Sequence, residues 1–485
     1  MNSSDQNARA EQQEIDASTR WPVLVFFSQA VAWLLIGGGL QLLAAIQLHT
    51  PAFLGFLDGC EWFTHGRLAA AAQFVLVYGW GFNAGLGVAL WLMARLSSAA
   101  LRHGGWLIVA CKAWNITVGL GLLGILMGGT TSFELLEFPR WVTLMLLVCY
   151  ALMGVWAITT FSVRNTEHVF ASQWYVFAAI IFFPWLYAVA QLTLFGVPTH
   201  GVVQSIVNAW YVNGLYNLWF VPLALAAAYY FVPKITGEAL RDYHSASWAF
   251  WWLLAMSAFA GGARLIGGPL PSWVATVGIV ANFMLVVAAV VILRNLAGAF
   301  SITATWRSST TLQFISLSVA GFALALLLNI GLSLRDVSAL LQFTLVTELR
   351  DWTSFYAVFS TAMFGAAYFI VPRLTGTAWH SQALVKAHVY ATVAGVLLFA
   401  LVALYGGFEQ GRLLNRTTAP FGEIVAALKP WLLFRSVALM VLLGGHVAFA
   451  LNFFWTVFGA VTKTGTPATF RNPPALTAPT VEGHA

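Results

Sequence analysis

Charge is what this chain has least of. Only 8% of its 485 residues are Asp, Glu, Lys or Arg, against roughly a quarter in soluble domains, so a water-soluble fold is excluded. Cysteine is almost as scarce. Cys60, Cys111 and Cys149 lie far apart with no Cys-x-x-Cys pair, which excludes a disulfide framework, a zinc ribbon and covalent c-type haem attachment. The 23 Lys and Arg exceed the 17 Asp and Glu by only six, and they stand singly between apolar runs. No nucleic-acid partner is expected. A Gly-rich nucleotide loop is also missing, which argues against an ATP-driven machine. The segment Met1–Arg20 is polar and lacks the basic-then-apolar order of a cleaved leader, so the first apolar run is expected to remain as an anchor.

Apolar residues fill the space that charge leaves. They make up 60% of the chain, with 37 Phe and 22 Trp and a mean hydropathy of +0.80. A bilayer core needs about 20 apolar residues per helix. Runs of that kind occupy 21–48, 66–97, 105–128, 140–163, 170–196, 205–232, 246–266, 271–295, 310–333, 351–371, 385–407 and 431–461. The expected fold is all-α and integral to the membrane, with twelve transmembrane helices over residues 21–461. A polar cytoplasmic N-terminal segment, 1–20, precedes it and a disordered cytoplasmic tail, 462–485, follows. Thirteen Lys and Arg fall in the tails and even-numbered loops and eight in the others; this bias puts both termini in the cytoplasm.

Ionisable groups inside spans are costly and therefore informative. Lys112 and Arg435 each lie within two turns of a span end, where a long side chain reaches the headgroups. Arg264, near the outer end of span seven, needs a carboxylate, and Asp351 or Glu348 opening span ten is at the same depth. His388 and His446 are the only histidines inside spans eleven and twelve, read as separate residues bonding across helices or, as weak candidates, as cofactor ligands. Val232-Pro233-Lys234-Ile235-Thr236-Gly237 is echoed 139 residues later by Val371-Pro372-Arg373-Leu374-Thr375-Gly376. Each pairs a helix-stopping proline with a cation suited to a helix C-terminus, and a duplicated helix bundle explains the shared Thr-Gly.

Several of these stretches resemble subunit I of the haem–copper oxidase superfamily, in particular the cbb-type cytochrome c oxidases and the nitric oxide reductases. They are Gly66-Arg67-Leu68 running into Tyr78-Gly79-Trp80-Gly81-Phe82-Asn83, Gln173-Trp174-Tyr175, Ala209-Trp210-Tyr211, the two Val-Pro-Lys/Arg endings, Pro271-Ser272-Trp273, and Gln410-Gly411. The resemblance implies a twelve-helix bundle with pseudo-threefold symmetry among spans two, six and ten. It also implies six histidines holding two haems and a copper. Carried across residue by residue, those positions fall on Ala72, Asn213, Ala263, Arg264, Arg350 and Trp352; a second register for the last two gives Tyr356 and Val358. None is histidine.

The resemblance therefore points to a redox-silent subunit I-like scaffold in a respiratory complex, a pseudoenzyme with no catalytic residue and no cofactor of its own. Arg264 and the acid near Asp351 would fill the former copper site. Membrane lipid, other respiratory subunits and a c-type cytochrome subunit are the expected partners, in a bacterial inner membrane. Two alternatives stand beside this. One is an active oxidase or nitric oxide reductase that holds haem b and copper through unusual ligands. The other is a proton or solute pathway along Lys112, Asn115, Asn213, Asn217 and Asn282.

Overall fold

The computed structural model describes residues 3–57, 60–197, 199–300, 307 and 309–462. The expected tail lies outside the described residues from 463 onward, as do Met1 and Asn2. Among the described residues every regular element is helical. The long helices are α1 Ser3–His49, α2 His65–Leu96, α3 Gly104–Leu126, α4 Val142–Ser162, α5 Ala171–Gly196 and α6 Val202–Thr236. They continue as α7 Tyr243–Phe259, α8 Ser272–Asn295, α9 Thr310–Ser333, α10 Leu345–Thr375, α11 Gln382–Leu414 and α12 Phe421–Thr462. Eleven of them are long and apolar enough to cross a bilayer. The exception is α7, whose 17 α-helical residues give way at Ala260–Leu265 to a 3-10 turn through Gly261 and Gly262. The chain is an integral membrane protein. Arg95 at the end of α2 pairs with Asp16 near the start of α1, Arg373 at the end of α10 stands near the same Asp16, and His380 after α10 bonds Thr456 near the end of α12, so Ser3 and Thr462 share one face, called here the terminal face. The polar segment before Arg20 is itself helical and continues α1 without a break.

Three helices form the centre. In α2, α6 and α10 the most apolar stretch is 94%, 89% and 94% buried, against 39–56% in the other spans. Each of the three is interrupted by a wide π-helical stretch, Val75–Gly81, Leu215–Phe220 and Thr353–Ser360. Such turns displace the residues beyond them and commonly mark functional positions. α5 also has a π stretch, Leu192–Gly196, but it closes that helix, whereas those of spans two, six and ten fall mid-span, in agreement with the pseudo-threefold arrangement.

Lipid tails are as apolar as leucine, so the hydrophobic effect does little to hold membrane helices together. Aromatic packing and interhelical hydrogen bonds do that work here. Phe82 of α2 stacks on Trp219 of α6 at 4.1 Å, and Phe220 of α6 meets Phe355 of α10 edge-on at 5.0 Å; such pairs contribute about 0.5–1.5 kcal/mol each. The Trp80 indole donates to Ser360 Oγ at 2.9 Å, and the Tyr78 and Tyr211 hydroxyls bond at 2.7 Å.

The two echoed endings close α6 and α10 in the same way, with one correction. Pro233 and Pro372 lie inside their helices, which run on to Thr236 and Thr375. What stops them is the glycine: Gly237 at φ 74° and Gly376 at φ 68° take the left-handed conformation that caps a helix without a Cβ penalty.

Candidate functional site

On the face opposite the termini, α1, α2, α6, α10 and α12 surround a cavity of about 690 Å³. Its floor is where the three π turns meet. Ala72, Arg264, Arg350 and Trp352, four of the six positions implied by the resemblance, line it. The other two lie close by. Ala263 precedes Arg264 in the 3-10 turn, and Asn213 is buried, donating from Nδ2 to the Ser257 carbonyl at 2.7 Å and accepting from Asn217 at 2.9 Å.

Charge, not imidazole, organises the cavity. Arg264 Nη1 and Nη2 each donate at 2.7 Å to one oxygen of Asp351, the fork geometry that makes Arg–carboxylate pairs strong. Arg350 grips the same carboxylate through Nε at 3.0 Å and Nη2 at 3.1 Å. Glu134 adds a third, looser contact to Arg264 at 3.4 Å. Of the two carboxylates expected for Arg264, Asp351 is the partner. Glu348 pairs instead with Arg435, which corrects the headgroup reading of Arg435: its side chain turns inward, 11% exposed, and lines the cavity. Lys112 is exposed on α3, as a snorkelling lysine would be.

The loop after α3 brings Glu134 to the site. Asn208 of α6 clamps it by accepting from the Glu134 N–H at 3.2 Å and donating to its carbonyl at 3.0 Å. Tyr78 holds the next residue through the Leu135 carbonyl at 2.8 Å. Within this loop Glu137 accepts from the Leu135 N–H at 3.1 Å, and its other oxygen is buried without a partner among the described residues. Burial is the main force pushing its carboxyl up to about 8, from an ordinary 4.5. The folded state thus binds this proton more tightly than the unfolded state does. Its contribution to stability is complete below about pH 4.5 and is lost as pH rises through about 8. Thermal midpoints of the wild type in detergent should fall between about pH 5 and about pH 9 by more than those of Glu137→Gln. Equal pH dependence in the two proteins would show that Glu137 is already ionised at neutral pH.

His388 and His446, expected to stand apart, are neighbours with ring centroids 6.3 Å apart. Both are buried, and each bonds a tyrosine of α10 across helices: His388 Nδ1 to Tyr368 at 2.9 Å and His446 Nε2 to Tyr356 at 2.5 Å. A sequence signal for their meeting exists, because each lies 29 residues from Thr417 in the turn between α11 and α12. His65, at the start of α2, also lines the cavity and places Nδ1 3.0 Å from the Ala44 carbonyl. The asparagines proposed for a pathway form separate local pairs, Asn115 with Asn83, Asn213 with Asn217, and Asn282 with Ser333.

The family profile "Cytochrome C and Quinol oxidase polypeptide I" matches residues 22–463. A "Cytochrome c oxidase subunit 1 homolog" of Agrobacterium tumefaciens (strain T37) is 25% identical over 463 residues, covering 90% of this chain and 83% of the relative. The "Cbb3-type cytochrome c oxidase subunit CcoN1" of Stutzerimonas stutzeri is 24% identical over 457 residues, covering 90% and 94%. Among solved structures, a heme-copper terminal oxidase dimer determined by cryo-EM superposes with a TM-score of 0.69 at 13% identity, over 92% of this chain and 84% of that one.

Proposed function

The chain belongs to the cytochrome c and quinol oxidase polypeptide I family, and from that premise we propose that it is a redox-silent subunit I-like scaffold within a respiratory membrane complex. One observation carries the reading. The cavity between α2, α6 and α10 offers iron and copper no suitable donor set. Ala72 and Ala263 have no lone pair, the Trp352 indole only donates, and the Asn213 amide is spent on Ser257 and Asn217. Arg264 and Arg350 are cations locked onto Asp351. A guanidinium at this place stands where a metal dication would otherwise need a cage of imidazoles, so no redox step is assigned to these residues. His65 is a single imidazole at the cavity rim, and haem with its copper partner needs several.

The scaffold would sit in a bacterial cytoplasmic membrane with both termini inside. The surplus of Lys and Arg in the tails and even-numbered loops supports this, as does the bacterial origin of the relatives. Its partners would be further respiratory subunits, a c-type cytochrome subunit among them, and membrane lipid against the exposed apolar faces of α4 and α8. The deciding experiment is haem and copper content per polypeptide, with a reduced-minus-oxidised spectrum, on chain purified from haem-replete cells. The expected result is neither cofactor at stoichiometric level. One haem per chain would overturn the proposal and make His65, His388 and His446 the first residues to replace.

A further inference from the structure

Arg435 is left half unsatisfied by the ion pairs around it. Its residue is 9% exposed, it lines the cavity, and Nη2 pairs with Glu348. Its Nε and Nη1, both buried, have no acceptor among the described residues. Buried donors are costly to leave unpaired, most of all on a charged group, so such donors point to an acceptor that completes them.

The charges facing the cavity balance, so the unpaired N–H groups of Arg435 are what select an anion. Arg264, Arg350 and Arg435 meet Asp351, Glu348 and Glu134. Arg264 and Arg350 are already spent on Asp351, so the donors left for a ligand are those of Arg435. Away from the charges the wall is mostly apolar, with Ala44 of α1, Ala69, Ala72 and Leu76 along one side of α2, and Phe355 of α10. At the mouth Phe343 is 85% exposed and held at φ 64°, a strained conformation for a bulky residue of the kind that clusters at ligand sites. The volume, about 690 Å³, is that of a small-molecule site.

We propose that this cavity binds an amphipathic oxyanion, a carboxylate or phosphate carried on an apolar body. The free N–H groups of Arg435 take the oxyanion, and the alanine wall takes the body. The inference rests on the redox-silent reading, because a haem would fill the same space.

The test is native mass spectrometry of the delipidated full-length chain in detergent, titrated separately with oleate, phosphatidylglycerol, inorganic phosphate and oleyl alcohol. One equivalent of oleate or phosphatidylglycerol should bind, and whichever binds more tightly identifies the source of the oxyanion. Loss of a charged hydrogen bond in Arg435→Gln should weaken binding about ten- to a hundredfold. The double variant Arg435→Gln/Glu348→Gln, which strands no carboxylate, should show the same loss if the single variant does not fold. Oleyl alcohol binding as tightly as oleate, inorganic phosphate binding as tightly as phosphatidylglycerol, or no binding by any probe would each overturn the proposal. Haem assayed on the same sample separates the two failures. Haem present condemns the functional reading, whereas haem absent with no anion bound condemns this inference alone.

Discussion

Replacing Arg264 with Met should lower the stability of the detergent-solubilised chain by about 3 kcal/mol, at the lower end of the range for breaking a buried ion pair. The estimate follows from what remains behind. Asp351, 17% exposed, loses two bonds of 2.7 Å but keeps the two from Arg350, so its charge is only partly stranded. Asp351→Asn should cost more, because it leaves Arg264 and Arg350 facing each other with no carboxylate between them. The double variant Arg264→Met/Asp351→Asn should cost less than the sum of the two, since it removes the pair together. Thermal midpoints of the four proteins form a double-mutant cycle, and residues in one such network couple by about 0.5–3 kcal/mol. Wild-type stability and assembly in the Arg264→Met variant would show that the guanidinium does not stabilise the cavity, and would remove the idea that it replaces a metal.

This network is half legible in the sequence, and the half that is not has a physical reason. A desolvated arginine requires a carboxylate, so Arg264 points to the acids of span ten, and Asp351 is its partner. Arg435 lies near a span end, where the same requirement is met as easily by headgroups. Nothing in its neighbourhood shows that it turns inward to Glu348, 87 residues away. The helices themselves are readable because apolar runs of bilayer length are separated by polar loops. The seventh is over-extended by that reading because hydropathy continues through Gly261 and Gly262 while the backbone tightens there. The π turns of α2, α6 and α10 leave no residue signature, because these helices are apolar and buried on nearly every side and carry no one-sided stripe whose phase a widened turn would shift. His388 and His446 look isolated when each helix is taken alone. Their contact depends on the register of the α11–α12 hairpin, which only a count from its turn supplies.

Position 278 on α8 decides where Arg264 stands, although its residue never touches the cavity. Gly278 packs so closely on the 3-10 turn that a Cβ there would run into the Ala263 backbone N and lie 2.9 Å from Gly262 Cα. Gly262 in turn has no room for a Cβ against the Val274 carbonyl. The obstruction on both sides is backbone, which does not swing away as a side-chain tip would. Gly278→Ala should therefore destabilise by about 2–3 kcal/mol, at the upper end for overpacking. The control is Gly444→Ala on α12, where a Cβ meets nothing within 4 Å and the better helix propensity of alanine should leave stability unchanged or slightly raised. Because the strain falls on the turn carrying Arg264, pushing it from α8 should also loosen the grip on Asp351. Part of the cost of Gly278→Ala is then the same ion-pair energy that Arg264→Met removes. The alanine should cost less in the Arg264→Met background than in the wild type, a non-additivity that thermal midpoints would resolve. Full additivity would mean that the turn yields without moving the guanidinium, and that the α7–α8 contact and the charged cavity are energetically independent.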